Sequence, residues 1–277
     1  MERSVNQTFK QAFAFYAEGK IKEAERLYRV ILKIQPEHLN ANYYLGLILL
    51  FNGKLDEAEG ILKKTIKLKP DFSEGYYSLG SILHLKAKFK EAEISFKKAL
   101  EFKSNYLQVY NNLGITLFSL GKLNEAETSF KKAIELKPDY SDAHYNLGTL
   151  LQKKEEFEEA EISFKKAIEL KPDYASAYNN LSSILYFKGD LLASIDKYKQ
   201  ALNIQPDFSE AWHSIFFPLQ SIKLQTSSIK DHLPLLDEQM NSKYAHVAKS
   251  ILSYCLNLGN SSTNRSLNEV LRTLSST

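Results

Sequence analysis

Up to residue 208 the apolar positions recur at helical spacing, in short blocks separated by turn residues. One block carries Tyr110, Leu113, Gly114 and Leu117, and the next carries Leu123, Ala126, Phe130 and Ala133. Positions three or four apart share one face of an α-helix, so each block predicts a helix with one buried stripe. Between such blocks stand Gly19, Gly53, Gly121 and Gly189, a residue suited to the left-handed conformation that ends a helix. Lys-Pro-Asp or Gln-Pro-Asp follows the second block. Proline cannot continue a helix, and the Asp is expected to cap the next one. The pattern predicts an all-α chain of helix pairs.

The pairs keep a strict register. Prolines fall at 36, 70, 138, 172 and 206, with Ser104 in the vacant place, and every step is 34 residues. Ala24, Ala58, Ala92, Ala126 and Ala160 keep the same step until Ser194 breaks the series, and so do Leu45, Leu79, Leu113, Leu147 and Leu181. Gly46, Gly80, Gly114 and Gly148 follow them, small where two helices are expected to approach closely. A helix pair of this size cannot bury its apolar face alone, so consecutive units are expected to stack.

These residues (an aromatic, then Leu-Gly, then Ala, Phe, Ala and Pro at fixed offsets) resemble the tetratricopeptide repeat (TPR) over about residues 5–208. The resemblance implies a right-handed superhelical solenoid of about six repeats, each first helix lining an inner, concave groove. A degenerate first repeat occupies 1–38, with Thr8 and Gln11 where an aromatic and Leu are expected. Five repeats follow at 39–72, 73–106, 107–140, 141–174 and 175–208. The second carries Asn42 and Thr65, and the sixth Ser182 and Ser194, in place of the family's residues. Pentatricopeptide repeats, with a period of about 35, lack this residue set. Residues 209–225, with Trp212, Ile215 and Leu219 around Pro218, are expected to form a capping helix or partial seventh repeat. Residues 226–277 read as a helical appendix.

The candidate binding residues lie on the first helices. Asn112 stands two residues from both Tyr110 and Gly114, roughly 200° around the helix from the buried stripe. The same register holds Lys10, Tyr44, Ser78, Asn146, Asn180 and Ser214. Asn112, Asn146 and Asn180 thus form a series through three repeats, similar to the asparagine ladder of O-linked N-acetylglucosamine transferase-type TPR arrays. A side-chain amide can bond a peptide N–H and C=O together, gripping a backbone without reading its side chains. The neighbouring register holds Tyr43, Tyr77, Asn111, Tyr145 and Asn179. With Phe9, Phe13 and Tyr44 it makes the N-terminal part of the groove aromatic, the kind of patch that marks a binding site. The alternative to a peptide-gripping asparagine ladder is a row of solvated polar side chains. The first inward position reads Asn6, Asn40, Glu74, Gln108, Asp142, Ser176 and Glu210, without the lysines and arginines that the family uses to clamp a C-terminal carboxylate.

On the second helices Glu59/Lys63, Glu93/Lys97, Glu127/Lys131 and Glu161/Lys165 are i,i+4 pairs in the favoured order. Each is worth ~0.3 kcal/mol, which tunes solubility more than it holds the fold. The lysine doublets 97–98, 131–132 and 165–166 are interleaved with Glu and read as a solvated outer face. The 277 residues hold 36 Lys and Arg against 33 Asp and Glu, a net charge of +3, which makes no case for nucleic acid or an anionic membrane.

Composition narrows the chemistry further. Forty-four per cent of residues are apolar, enough for a core, yet no window approaches the ~18 consecutive apolar residues of a membrane span. With Cys255 alone no intrachain disulfide forms, and no basic-then-apolar leader opens the chain. The expected location is cytoplasmic. Gly-Lys at 19–20, 53–54 and 121–122 is followed by Ile or Leu, not the Ser or Thr of a phosphate loop. The six histidines form no metal-binding motif. No catalytic residue, cofactor or metal is expected.

The reading is a protein-interaction scaffold that holds an extended peptide or partner helix. The alternative is the substrate-presenting front of a larger glycosyl-, sulfo- or methyltransferase, for which the weak ending LRTLSST would suit a downstream continuation. Self-association through the C-terminal helices is a third expectation.

Overall fold

The computed structural model describes residues 2–215, 217 and 218; the expected helices beyond 218 lie outside them. Thirteen helices and no strand occur among the described residues. Eight belong to a first compact unit, residues 1–138, and five to a second that begins at Asp139. In the first unit they are α1 (Glu2–Ala17), α2 (Ile21–Ile34), α3 (Leu39–Phe51), α4 (Leu55–Leu68), α5 (Ser73–Leu85), α6 (Phe89–Phe102), α7 (Leu107–Ser119) and α8 (Leu123–Leu136). In the second they are α9 (Ser141–Lys153), α10 (Phe157–Leu170), α11 (Ala175–Phe187), α12 (Leu191–Ile204) and the short α13 (Ser209–Ser214). Consecutive helices pair as hairpins, and within each unit neighbouring hairpins pack on one another.

Each hairpin closes over one side chain set against one small residue. Phe96, Phe130 and Phe164 are fully buried against Gly80, Gly114 and Gly148. A methyl group added at Gly114 would stand 2.5 Å from the Phe130 ring. These glycines are small to admit a ring. In the sixth repeat the set changes together: Ser182 and Ser194 are wholly buried opposite Tyr198. The Ser182 hydroxyl bonds the Ser194 carbonyl, and Ser183 Oγ lies 3.0 Å from Tyr198 Oη. The other departures are satisfied likewise. Asn42 donates to the Pro36 and His38 carbonyls at 3.0 Å, and Thr65 to Ile61 O at 2.9 Å.

The hairpin turns place one residue in the left-handed region, at φ +74°, +71°, +74° and +83° for Gly19, Gly53, Gly121 and Gly189. Around Gly121, Lys122 N donates to Leu117 O and Gly121 N to Phe118 O, both at 2.9 Å, which satisfies the last carbonyls of α7. The remaining two turns make the same bonds with Ala87 (φ +56°) and Glu155 (φ +63°). A side chain in that region costs ~1 kcal/mol or more. Ala87→Gly and Glu155→Gly are therefore each expected to stabilise their unit by ~0.5–1 kcal/mol, less what glycine adds to unfolded-state entropy. Denaturant titration of the two variants measures it.

The Asp of Pro-Asp does not cap the following helix, contrary to the sequence expectation. The N-cap is the residue after it: Phe72, Tyr140, Tyr174 and Phe208, with Tyr106 and His38 at the same register. Only His38 among these accepts a bond from the new helix through its side chain. The rings of Phe72, Tyr106 and Tyr174 pack instead on the preceding first helix, as Phe72 does on Tyr43 at 4.9 Å between centroids. α6 ends at the same register as its counterparts although Ser104 stands where the others have proline. Packing of Tyr106 on Tyr77, 5.2 Å away, accompanies that stop.

Candidate functional site

The asparagine series lies on the first helices, and two of its members make the same arrangement, one in each unit. In the first unit Asn112 of α7 is half-buried beside α5, and its Nδ2 donates to Tyr77 Oη at 3.3 Å. Its Oδ1 accepts from Asn111 Nδ2 at 3.4 Å. In the second unit Asn180 of α11 donates to Tyr145 Oη of α9 at 3.3 Å and accepts from Asn179 at 3.3 Å. Each asparagine-to-tyrosine bond spans 35 residues, one repeat plus one residue. Both Tyr77 and Tyr145 are half-buried, and burial pushes their phenols above the ordinary value, so both stay protonated.

Asn111 and Asn179 occupy a different place from Asn112 and Asn180. They are 5% and 7% exposed, so they brace their neighbours' amides from behind. Asn179 Oδ1 has no hydrogen-bond partner. Asn146 is half-buried on α9. At the same register Ser78 is buried, its hydroxyl donating to Glu74 O at 2.9 Å. The register therefore lies in the seam between neighbouring first helices, more enclosed than a 200° rotation from the stripe implied.

The N-terminal aromatics are brought together on each other. Tyr44 is half-buried at the centre of Phe9, Phe13, Tyr16, Tyr28 and Tyr43, with ring centroids 5.3–6.2 Å away. Tyr28 is fully buried and its hydroxyl has no partner. Phe13 keeps 43% of its surface exposed. This cluster spends most of its apolar area on its own packing.

Two features escaped the sequence reading. One is the aromatic N-cap series. Tyr106 and Tyr174 pack on Tyr77 and Tyr145, with Lys103 and Lys171 Nζ 4.5 and 4.6 Å from their ring centroids. Its signal was the step of 34 from Phe72 to Phe208. The other is the role of the second-helix glutamates. All four i,i+4 pairs form. Glu59 and Glu93, however, are buried, and each takes another lysine from the next hairpin turn: Lys86 to Glu59 at 2.6 Å and Lys122 to Glu93 at 2.9 Å. Lys188 does the same for Glu161 at 2.7 Å. These carboxylates join repeats and do more than keep a surface soluble. In the lysine doublets Lys98, Lys132 and Lys166 pair with Glu101, Glu135 and Glu169 at i,i+3.

Between α5 and α7 a cavity of about 180 Å³ is lined by Ser81, His84, Leu85, Phe96, Asn112 and Ile115. His84 Nδ1 lies 3.0 Å from Thr116 Oγ1, and Thr116 Oγ1 donates to Asn112 O at 2.8 Å. Among the described residues no group of three or more His, Cys, Asp or Glu could hold a metal. No helix among them is long and apolar enough to cross a membrane.

Comparison with known proteins identifies the repeats. Models described as TPR repeat or tetratricopeptide repeat match residues 15–82, 73–106, 116–155, 141–174 and 175–208, together well over half of the chain. No curated protein matches. Among solved structures, YrrB, described as a TPR protein with an unusual peptide-binding site, is 24% identical with a TM-score of 0.56, over 68% of this chain and 96% of its own. MamA is 27% identical with a TM-score of 0.55, over 60% of this chain and 96% of its own. PilW, described as a type IV pilus biogenesis factor, is 19% identical with a TM-score of 0.69, over 76% of this chain and 98% of its own.

Proposed function

The chain belongs to the tetratricopeptide repeat family, whose arrays serve as protein-interaction scaffolds, and from that premise we propose that its first helices hold an extended peptide through the asparagine rungs. The observation that carries this is the unused bonding capacity of Asn112 and Asn180. An amide offers two N–H donors and two lone pairs. Each of these two spends one donor on a tyrosine hydroxyl and one lone pair on the preceding asparagine. One donor and one acceptor remain on each, which match one peptide unit's C=O and N–H. The bonds already made, at 3.3–3.4 Å, are longer than the usual 2.9–3.0 Å, so a peptide can displace them at little cost.

Sharing a fold with YrrB, whose description includes a peptide-binding site, is consistent with this use of the face. The half-buried Tyr77 and Tyr145, and the half-buried Tyr43 and Tyr44 nearer the N-terminus, supply the apolar flanks. The likeness to O-linked N-acetylglucosamine transferase-type arrays rests on the asparagine series alone.

Changing Asn112, Asn146 and Asn180 together to Ala tests the reading. A peptide makes two hydrogen bonds to a rung at ~0.5–1 kcal/mol each, so losing the rung costs ~1–2 kcal/mol, or roughly 10-fold in affinity for a partner captured by the unmodified chain. The melting temperature is expected to move by no more than about 2 °C. A large thermal loss with unchanged affinity would make the amides structural instead.

A further inference from the structure

The cavity between α5 and α7 is more selective than a backbone grip requires. Its floor is the fully buried ring of Phe96, Ile115 and Leu85 are its apolar walls, and Leu85 stands 62% exposed at the lip. Its polar side is Ser81, Asn112 and His84. The Ser81 hydroxyl proton is spent on Tyr77 O at 3.0 Å.

The state of His84 follows from its partner. A threonine hydroxyl has one proton, and that of Thr116 goes to Asn112 O. With that proton on Asn112 O, the contact between His84 and Thr116 runs from His84 Nδ1–H to Thr116 Oγ1. In a neutral ring with the proton on Nδ1, Nε2 is an acceptor and nothing else. Burial lowers the His84 pKa below its ordinary value, which keeps the ring neutral at pH 7. Nε2 has no hydrogen-bond partner among the described residues.

An occupant must thus be apolar along its body and carry a donor at its tip. A carboxylate has no proton to give, and an ammonium would lose its hydration against Phe96, Leu85 and Ile115. Size and the place of the donor separate the rest. A cavity of about 150 Å³ lined by aliphatic and aromatic side chains holds one benzene ring. The cleft here, about 180 Å³ and open at the Leu85 lip, admits a ring with one hydroxyl, and a phenol, unlike an indole, carries its donor at the tip.

We propose that this cavity is a tyrosine pocket: the residue of an extended partner peptide held at Asn112 inserts a phenol between α5 and α7, its O–H donating to His84 Nε2. The inference rests on the peptide-holding reading above and adds side-chain specificity to it. A backbone grip alone would be indifferent to sequence, whereas this pocket sets which residue sits on the Asn112 rung. Phenylalanine fills the same walls but strips water from Nε2 without replacing the bond, so it is expected to bind about tenfold more weakly.

The test uses the full chain with acetyl-Ala-Ala-X-Ala-Ala-amide peptides, X being Tyr, O-methyltyrosine, Phe, Trp or Ala. Binding is read by NMR at the Leu85 and Ile115 methyls and the Asn112 amide. The Tyr peptide is expected to bind tightest, about tenfold ahead of Phe and of O-methyltyrosine, which keeps the oxygen but cannot donate. His84→Phe should erase the Tyr advantage while leaving ring binding. Ile115→Trp, which fills the cavity, should reduce every peptide to the level of X = Ala. Equal affinities for Tyr and Phe, a preference for Trp, or a Tyr advantage that survives His84→Phe would overturn the pocket. If all five peptides perturb Asn112 alike, the backbone grip stands and the pocket falls. If none perturbs Asn112, both fall.

Discussion

Phe130→Ala is expected to destabilise the first unit by about 3 to 5 kcal/mol, enough to unfold much of it near physiological temperature. The ring is 1% exposed and closes the α7–α8 hairpin against Gly114. Its removal leaves a hole that a backbone glycine cannot fill. The partner change works in reverse. Gly114→Ala alone places its methyl group 2.5 Å from the ring and is expected to cost ~1–3 kcal/mol through overpacking. In the Phe130→Ala background the same methyl enters vacant space and should cost nothing or stabilise. A double-mutant cycle by denaturant unfolding should then give a coupling of at least about 1 kcal/mol. Additive losses would mean that the two residues do not share one packing site.

Acid should weaken the stacking of repeats before it melts individual hairpins. Glu59 bonds Lys63 and Lys86 while nearly buried, and these partners hold its carboxyl down to about 2 from an ordinary 4.5. A carboxyl whose folded pKa is depressed contributes stability that is fully present above its unfolded value. That contribution is lost as pH falls through the folded one. For Glu59 the window runs from about 4.5 down to about 2, and the stability at stake is on the order of 2 kcal/mol. Glu161, held below the usual carboxylate range by Lys165 and Lys188, acts in the same direction in the second unit. Unfolding free energy measured from pH 7 to pH 2 should therefore fall steeply below about pH 4.5. In Glu59→Gln the fall should be shallower. An identical profile for the variant would show that the Lys86 bond carries no net stability.

These two expectations draw on different depths of the sequence. Gly114 and Phe130 were each visible as members of the step of 34. The glycine, however, read as a close approach of two helices, and only the structure shows that it admits the Phe130 ring. The i,i+4 half of the Glu59 network was equally visible, since helix geometry alone sets it. Lys86 was not visible, because no local rule predicts which turn residue of the next hairpin swings over a carboxylate 27 residues earlier. The asparagines divide the same way. The series Asn112, Asn146, Asn180 could be read from spacing. That Asn111 and Asn179 are buried braces, while Asn112 and Asn180 keep a spare donor and acceptor, depends on how neighbouring first helices lean together. The Asp expected to cap each first helix failed for a related reason. A local propensity at Pro-Asp lost to the packing of the next residue's ring on the preceding repeat, as with Tyr106 on Tyr77.

By itself the sequence determined the all-α hairpins, their register and the positions where small and large residues recur. Those depend on helix periodicity and side-chain volume, which are properties of a segment and recur whenever the segment does. Only the tertiary structure decided what meets across repeats: Tyr77 with Asn112, Lys86 with Glu59, and His84 with Thr116 beside a cavity. Such contacts bridge residues 27 to 35 apart, and the packing of hairpin on hairpin chooses them, a quantity that no single segment contains.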